Sequence, residues 1–155
     1  MNILPVVPVL NASIDVKELL GTNPLRVFED IAPHKTPYPY AVWSVVTANP
    51  ENHLDCPANT DHVSFQIVVY DTEQKRASDI RAAIRMALEP HCYITSFHPN
   101  HFERIADTNI FGRGFDANWF LDRIDRSAKI YSYIEKSRLF IGSQEVMIGK
   151  DFDLV

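Results

Sequence analysis

A chain of 155 residues with 46% hydrophobic and 23% charged residues is most simply one soluble domain, large enough to bury roughly 70% of its unfolded surface, and its composition does not indicate disorder. The formal net charge of −5 disfavours non-specific nucleic-acid binding through a basic surface, and apolar runs such as 3–10 and 41–46 are far too short to span a bilayer. Two cysteines, Cys56 and Cys92, lack CxxC spacing and are too few for a disulfide framework, which points to free thiols in a cytosolic protein. Met1-Asn2-Ile3 lacks the basic start of a signal peptide.

In chain order, residues 3–10 are apolar but interrupted by Pro5 and Pro8, which predicts an extended arm or edge segment. Asn11 or Ser13 is placed to cap a short helix over 14–20, with Gly21 stopping it. Residues 26–30 form a candidate short strand, and the prolines at 33, 37 and 39 make a stiff lead-in to the next. Residues 40–47 are almost continuously apolar, as in a strand covered on both faces. The stretch 48–61 that follows is polar, acidic and rich in turn residues. It is longer than hairpin loops usually are, and such loops tend to be functional or mobile.

Over 62–70, Val63, Phe65, Ile67 and Val69 alternate with His62, Ser64 and Gln66, giving a strand with a dry face and a wetter one. Asp71 then offers a helix start in which it accepts an N–H two or three residues on and Gln74 reaches back to it. Ala77, Ile80, Ala83, Ile84, Ala87 and Leu88 recur at helical spacing, with Lys75, Arg76, Asp79, Arg81 and Arg85 opposite. Pro90 stops the helix. This helix is expected to lie on the dry face of the hairpin. Two further strands are expected at 92–97 and 102–108, around His98-Pro99-Asn100, and another at 111–121. Gly112 and Gly114 in the last imply a bulge, a bend or the close approach of another backbone. Beyond it, 122–126 mixes charges like a connector, 129–134 is a possible strand, and 139–141 with 146–148 has the pattern of a hairpin around Gly142. An isolated hairpin is marginal in water, so this one needs the domain's sheet or another subunit.

The expected fold class is therefore α+β, a mostly antiparallel sheet with one main helix packed on one face and a short N-terminal helix. Residues 1–121 make the domain, and 122–155 a C-terminal extension. Its chemistry is sparse. His91, Cys92, His98 and His101 cluster in sequence but match no metal-ligand spacing. Neither cysteine sits in a recognisable nucleophile turn, and there is no GxGxxG or Walker loop. Asp107, Asp116 and Asp122 read as a solvated strand face, and Arg76, Arg81 and Arg85 as a solvated helix face. No catalytic, metal or cofactor residue is expected. The rival is a small hydrolase in which His98, His101 and an aspartate converge.

Several residues in order carry a resemblance: Pro5-Val6-Val7-Pro8-Val9-Leu10, Pro37-Tyr38-Pro39-Tyr40-Ala41-Val42-Trp43, Pro50-Glu51-Asn52-His53-Leu54, Asp61 ahead of Phe65-Gln66-Ile67-Val68-Val69-Tyr70, the Ala/Arg-rich helix, Asp107-Thr108, Arg113, and Asp116-Ala117-Asn118-Trp119. The set resembles the tail completion family of long-tailed bacteriophages, also described as tail terminator or tail-to-head joining proteins. It covers residues 3–119.

The resemblance implies a structural virion subunit that closes into a hexameric ring on the head-proximal end of the tail tube, ends tube polymerisation and joins tail to head. Its implied partners are other copies of itself, the tail tube protein, a head-completion or connector protein and the tape measure protein. DNA passes through such a ring without specific binding, and a net negative subunit suits that. The pieces expected to meet partners are the proline-rich N-terminal arm, the long loop, through Asn49, Glu51, Asn52, His53, Leu54 and Asp55, the strand residues Arg113 and Asp116, and the C-terminal hairpin through Phe140 and Ile141. The alternative within the same virion is a connector or tube protein.

Overall fold

The structure is a computed structural model that describes residues 4–122; the expectations for 129–134 and for the hairpin carrying Phe140 and Ile141 lie outside them. The described residues run α1 (Val6–Asn11), α2 (Ile14–Leu20), β1 (Val27–Glu29), β2 (Tyr40–Pro50), β3 (Thr60–Asp71), α3 (Gln74–Leu88), β4 (Tyr93–Phe97), β5 (His101–Ile105) and β6 (Thr108–Asp122). The strands form one sheet in the order β1-β2-β3-β6-β4, with β5 also pairing to β6.

The alternation in β3 decides where the core lies. Val63, Phe65, Ile67 and Val69 are all buried, and so are Ala77, Ile80, Ile84 and Leu88 of α3. All of these except Ala77 join one cluster with Trp43 of β2 and Phe115, Ala117 and Trp119 of β6. Each large side chain withdrawn from water there contributes roughly 1.5–3 kcal/mol. Edge-to-face packing of Trp43 on Phe65, with ring centroids 6.5 Å apart, fixes β2 against β3. On the wetter face the polar residues bond across strands: Ser64 Oγ donates to Asn118 Oδ1 at 2.8 Å, and Gln66 Nε2 to Ser44 Oγ at 3.4 Å.

Where the N-terminal stretch was expected to be an extended arm, it is a helix. Pro8 is the third residue of α1, within the first turn, where a backbone N–H has no intrahelical acceptor and a proline therefore costs little. Once helical, the segment buries Val6 and Leu10, and Leu4 just before it is buried too. Ser13 caps α2 by accepting from Val16 N at 3.4 Å, and Gly21 ends that helix at φ 96°, a conformation that favours glycine. α1 and α2 pack on α3 and on each other. The sheet is thus covered by three helices rather than one main helix and a short one.

Asp71 begins α3 by a different device from the expected box. Its carboxylate is buried and accepts from Thr72 N at 2.6 Å and Glu73 N at 3.4 Å, one and two residues on. Arg76 supplies the rest, donating from Nε and Nη2 at 2.6 Å to the two oxygens. A buried carboxylate needs a cation more than it needs the Gln74 amide.

The sheet is mixed. β1 runs parallel to β2, with Val27 opposite Ala41, while β4 and β5 run antiparallel to β6. β4 and β5 do not pair with each other as consecutive strands often do. Tyr93 lies opposite Asn118 and Phe97 opposite Phe115, then His98 N donates to Gly114 O at 3.0 Å, and His101 lies opposite Gly112. The two strands therefore run end to end along one edge of β6, with a bulge between Ile94 and Ser96. The tight turn from β5 to β6 puts Ala106 at φ 50° and Asp107 at φ 66°, the left-handed pair that a two-residue hairpin requires.

Candidate functional site

Three features of the described residues offer something to a partner. The first is the β4–β5 edge. β5 is exposed along its whole length and β4 along most of it, so Tyr93, Phe97, Phe102 and Ile105 are large apolar side chains open to solvent. Alternation here does not bury one face: every residue of β5 and all of β4 but Ile94 is exposed. An exposed edge carrying apolar side chains invites pairing with another chain.

The second feature sits on the wetter face, where β4 meets β6. Asp116 accepts from Ser96 Oγ at 3.0 Å and lies 2.8 Å from His98 Nε2. Partial burial works to raise the Asp116 pKa, but the hydrogen bonds from His98 and Ser96 outweigh it and hold the carboxyl below its ordinary value. The carboxylate stands between the hydroxyl and the imidazole. Ser96 Oγ is spent on Asp116 instead of being presented to His98, so the arrangement is not that of a base-activated nucleophile. His101 pairs instead with Glu103, at 3.5 Å, so the convergence of His98, His101 and an aspartate does not form. No group of three or more His, Cys, Asp or Glu side chains suited to a metal ion occurs among the described residues.

The third is a groove between the outer face of α3 and β4. Phe97 lies under two guanidinium groups, with Arg81 Cζ 5.1 Å and Arg85 Cζ 5.0 Å from the ring centre, two cation–π contacts on one ring. Ser78, Met86 and Glu89 complete the walls of a depression of ≈ 440 Å³. Arg85 is paired with Glu89 at 2.9 Å, whereas Arg81 donates to the carbonyl of Gly114 at 3.4 Å. Burial and the neighbouring Arg113 charge both lower the Arg81 pKa.

A family model described as "Tail completion protein gp17" matches residues 5–127. The chain belongs to the tail completion protein gp17 family. It is accordingly a structural component of a bacteriophage virion, as the ordered set of residues implied. A solved chain from the "Virion of native gene transfer agent (GTA) particle" is 18% identical, with a TM-score of 0.46 over 75% of this chain and 92% of that one. No curated protein matches it significantly.

In this tail completion protein the residues singled out in the sequence fall into separate places. Asn49 is exposed near the end of β2, and Glu51, Asn52, His53, Leu54 and Asp55 are exposed in the loop that follows. Glu51 N donates to Thr60 O at 2.9 Å across the base of that loop. Asp116 is half-buried in the Ser96–His98 cluster. Arg113 is only 3% exposed. Its guanidinium donates to the carbonyls of Gly112, at 2.9 Å, and His101, at 3.3 Å, tying β5 to β6. The arginine groove was missed, because Arg81 and Arg85 read as a solvated helix face until β4 brings Phe97 beneath them. The available signal was the pair of arginines four residues apart on one side of a helix whose other face is buried.

Proposed function

We propose that this tail completion protein assembles as a closed hexameric ring at the head-proximal end of the phage tail tube, where it ends tube polymerisation and joins tail to head. The observation that carries the reading, alongside family membership, is the row of exposed apolar side chains on β4 and β5. A monomer gains nothing from leaving such an edge open, while a repeated heterologous contact around an axis covers it in every copy. The segment 49–61, Asn49 included, contacts a neighbouring subunit or the tube, and residues after Arg123, Phe140 and Ile141 among them, reach another chain. Arg113 serves such a contact by holding β5 against β6, and Asp116 by setting the wetter face of β4. The tail tube protein, a head-completion protein and the tape measure protein are its partners, and DNA passes through the ring without specific binding. The role is structural and not enzymatic, which the Asp116-centred hydrogen bonding supports.

Two measurements test this. The purified protein should show the mass of a ring in solution, and phages lacking it should make tails of uncontrolled length that do not join heads. Tubes of normal length, together with a strictly monomeric protein, would sink the proposal. A tube protein of the same virion would instead polymerise into long cylinders, visible by negative stain.

A further inference from the structure

We propose that the acidic loop of one subunit docks, Leu54 first, into the Arg81–Phe97–Arg85 groove of the next. The inference rests on the ring reading and names the contact that would close the ring.

Charge is the first argument. Residues 50–61 carry Glu51, Asp55 and Asp61 and no lysine or arginine. The groove presents two guanidinium groups with one carboxylate, Glu89, bonded to Arg85. Arg81 is stacked on a ring and bonded to a carbonyl, and it feels the charge of Arg113, so its positive charge lacks a neutralising partner among the contacts described. A site with that imbalance gains from an incoming carboxylate.

Apolar matching is the second argument, and it selects a protein loop over a phosphate backbone. The groove floor is Phe97, 46% exposed, beside Met86, 70% exposed. A polyanion would satisfy the arginines and leave that floor wet. The loop brings both elements at once, since Leu54 is fully exposed between Glu51 and Asp55. A depression of ≈ 440 Å³ takes a leucine side chain with the backbone on either side of it. Because loop and groove are different patches, the contact is head-to-tail, the kind that closes into rings.

Paired charge reversal in the full-length chain tests the contact. One protein carries Arg81→Glu and Arg85→Glu, the other Glu51→Arg and Asp55→Arg, and mass in solution is measured for each alone and for an equal mixture. Each alone should remain monomeric. The mixture should assemble, because each reversed loop then meets a reversed groove and each native loop a native one. As a second measurement, Leu54→Cys with Ser78→Cys in a Cys56→Ser background should give disulfide-linked dimers and higher ladders under mild oxidation. Assembly of both reversal proteins at wild-type mass, failure of the mixture, or absence of the ladder each overturns the contact. So does a groove reversal that still assembles but loses binding to a short fluorescent duplex DNA, which would make the groove a polyanion site. If the unmodified chain does not assemble at all, it is the ring reading that fails.

Discussion

At the scale of single residues, environment separates side chains that composition treats alike. Cys92 is buried, its Sγ–H donates to Leu88 O at 3.4 Å, and burial pushes its thiol up to about 11, whereas Cys56 is exposed. A thiol reagent at pH 8 should therefore modify one cysteine of the native protein rapidly and the second only on unfolding. Loss of the fast phase in Cys56→Ser checks the assignment. Asp116 makes a pH prediction. Its folded pKa lies below the ordinary 3.8, so its contribution is complete above that value and is lost as pH falls through the lowered one. With the carboxylate 42% exposed, that contribution is under about 1 kcal/mol. The melting-temperature gap between the wild type and Asp116→Asn should be steady at neutral pH and shrink on acidification below 3.8.

At the scale of elements, close packing between strands sets the tolerances. A Cβ on Gly114 would meet the backbone oxygen of Ile67 and Nδ1 of His98, each at 2.7 Å. Gly114→Ala should cost about 1–3 kcal/mol, measured by denaturant unfolding, because β3 has to move away from β6. The strand's glycines read equally as a bulge, a bend or a close backbone approach; that Gly114 is the last of these, and that β3 is the strand approaching, depends on β3 and β6 lying side by side. Ile84→Ala in α3 leaves a cavity in the cluster it shares with Phe65 and Trp43 and should cost about 2–5 kcal/mol. Met86→Ala, on the exposed side of the same helix, should change stability by less than about 0.5 kcal/mol.

At the scale of the whole molecule, the fold serves to present edges. β4 and β5 continue one another along β6, so one border of the sheet carries Tyr93, Phe97, Phe102 and Ile105. The loop joining β2 to β3, exposed over 51–57, is a second such piece. The C-terminal stretch is tested most simply by removal. A chain ending at Arg123 should keep a cooperative melt, because it retains the whole buried cluster found among the described residues, Leu4 to Trp119, yet fail to join tails to heads in a complementation assay. Joining by the truncated chain at the wild-type level would show that residues beyond Arg123 make no such contact.

What the sequence determined by itself is what depends on nearest neighbours along the chain. The alternation of Val63, Phe65, Ile67 and Val69, the helical period of α3, a cap at Asn11 or Ser13 and the Gly21 stop each follow from which side chains share a face or a turn. The order of residues was also enough to mark the family. Tertiary structure decided the rest, because burial is a relation between distant segments. Only packing on α2 and α3 makes a proline-spaced arm a helix. Only the pairing of β5 with β6 brings the His101 carbonyl to the buried Arg113 guanidinium, and only β4 beside α3 converts a solvated row of arginines into a groove with an aromatic floor.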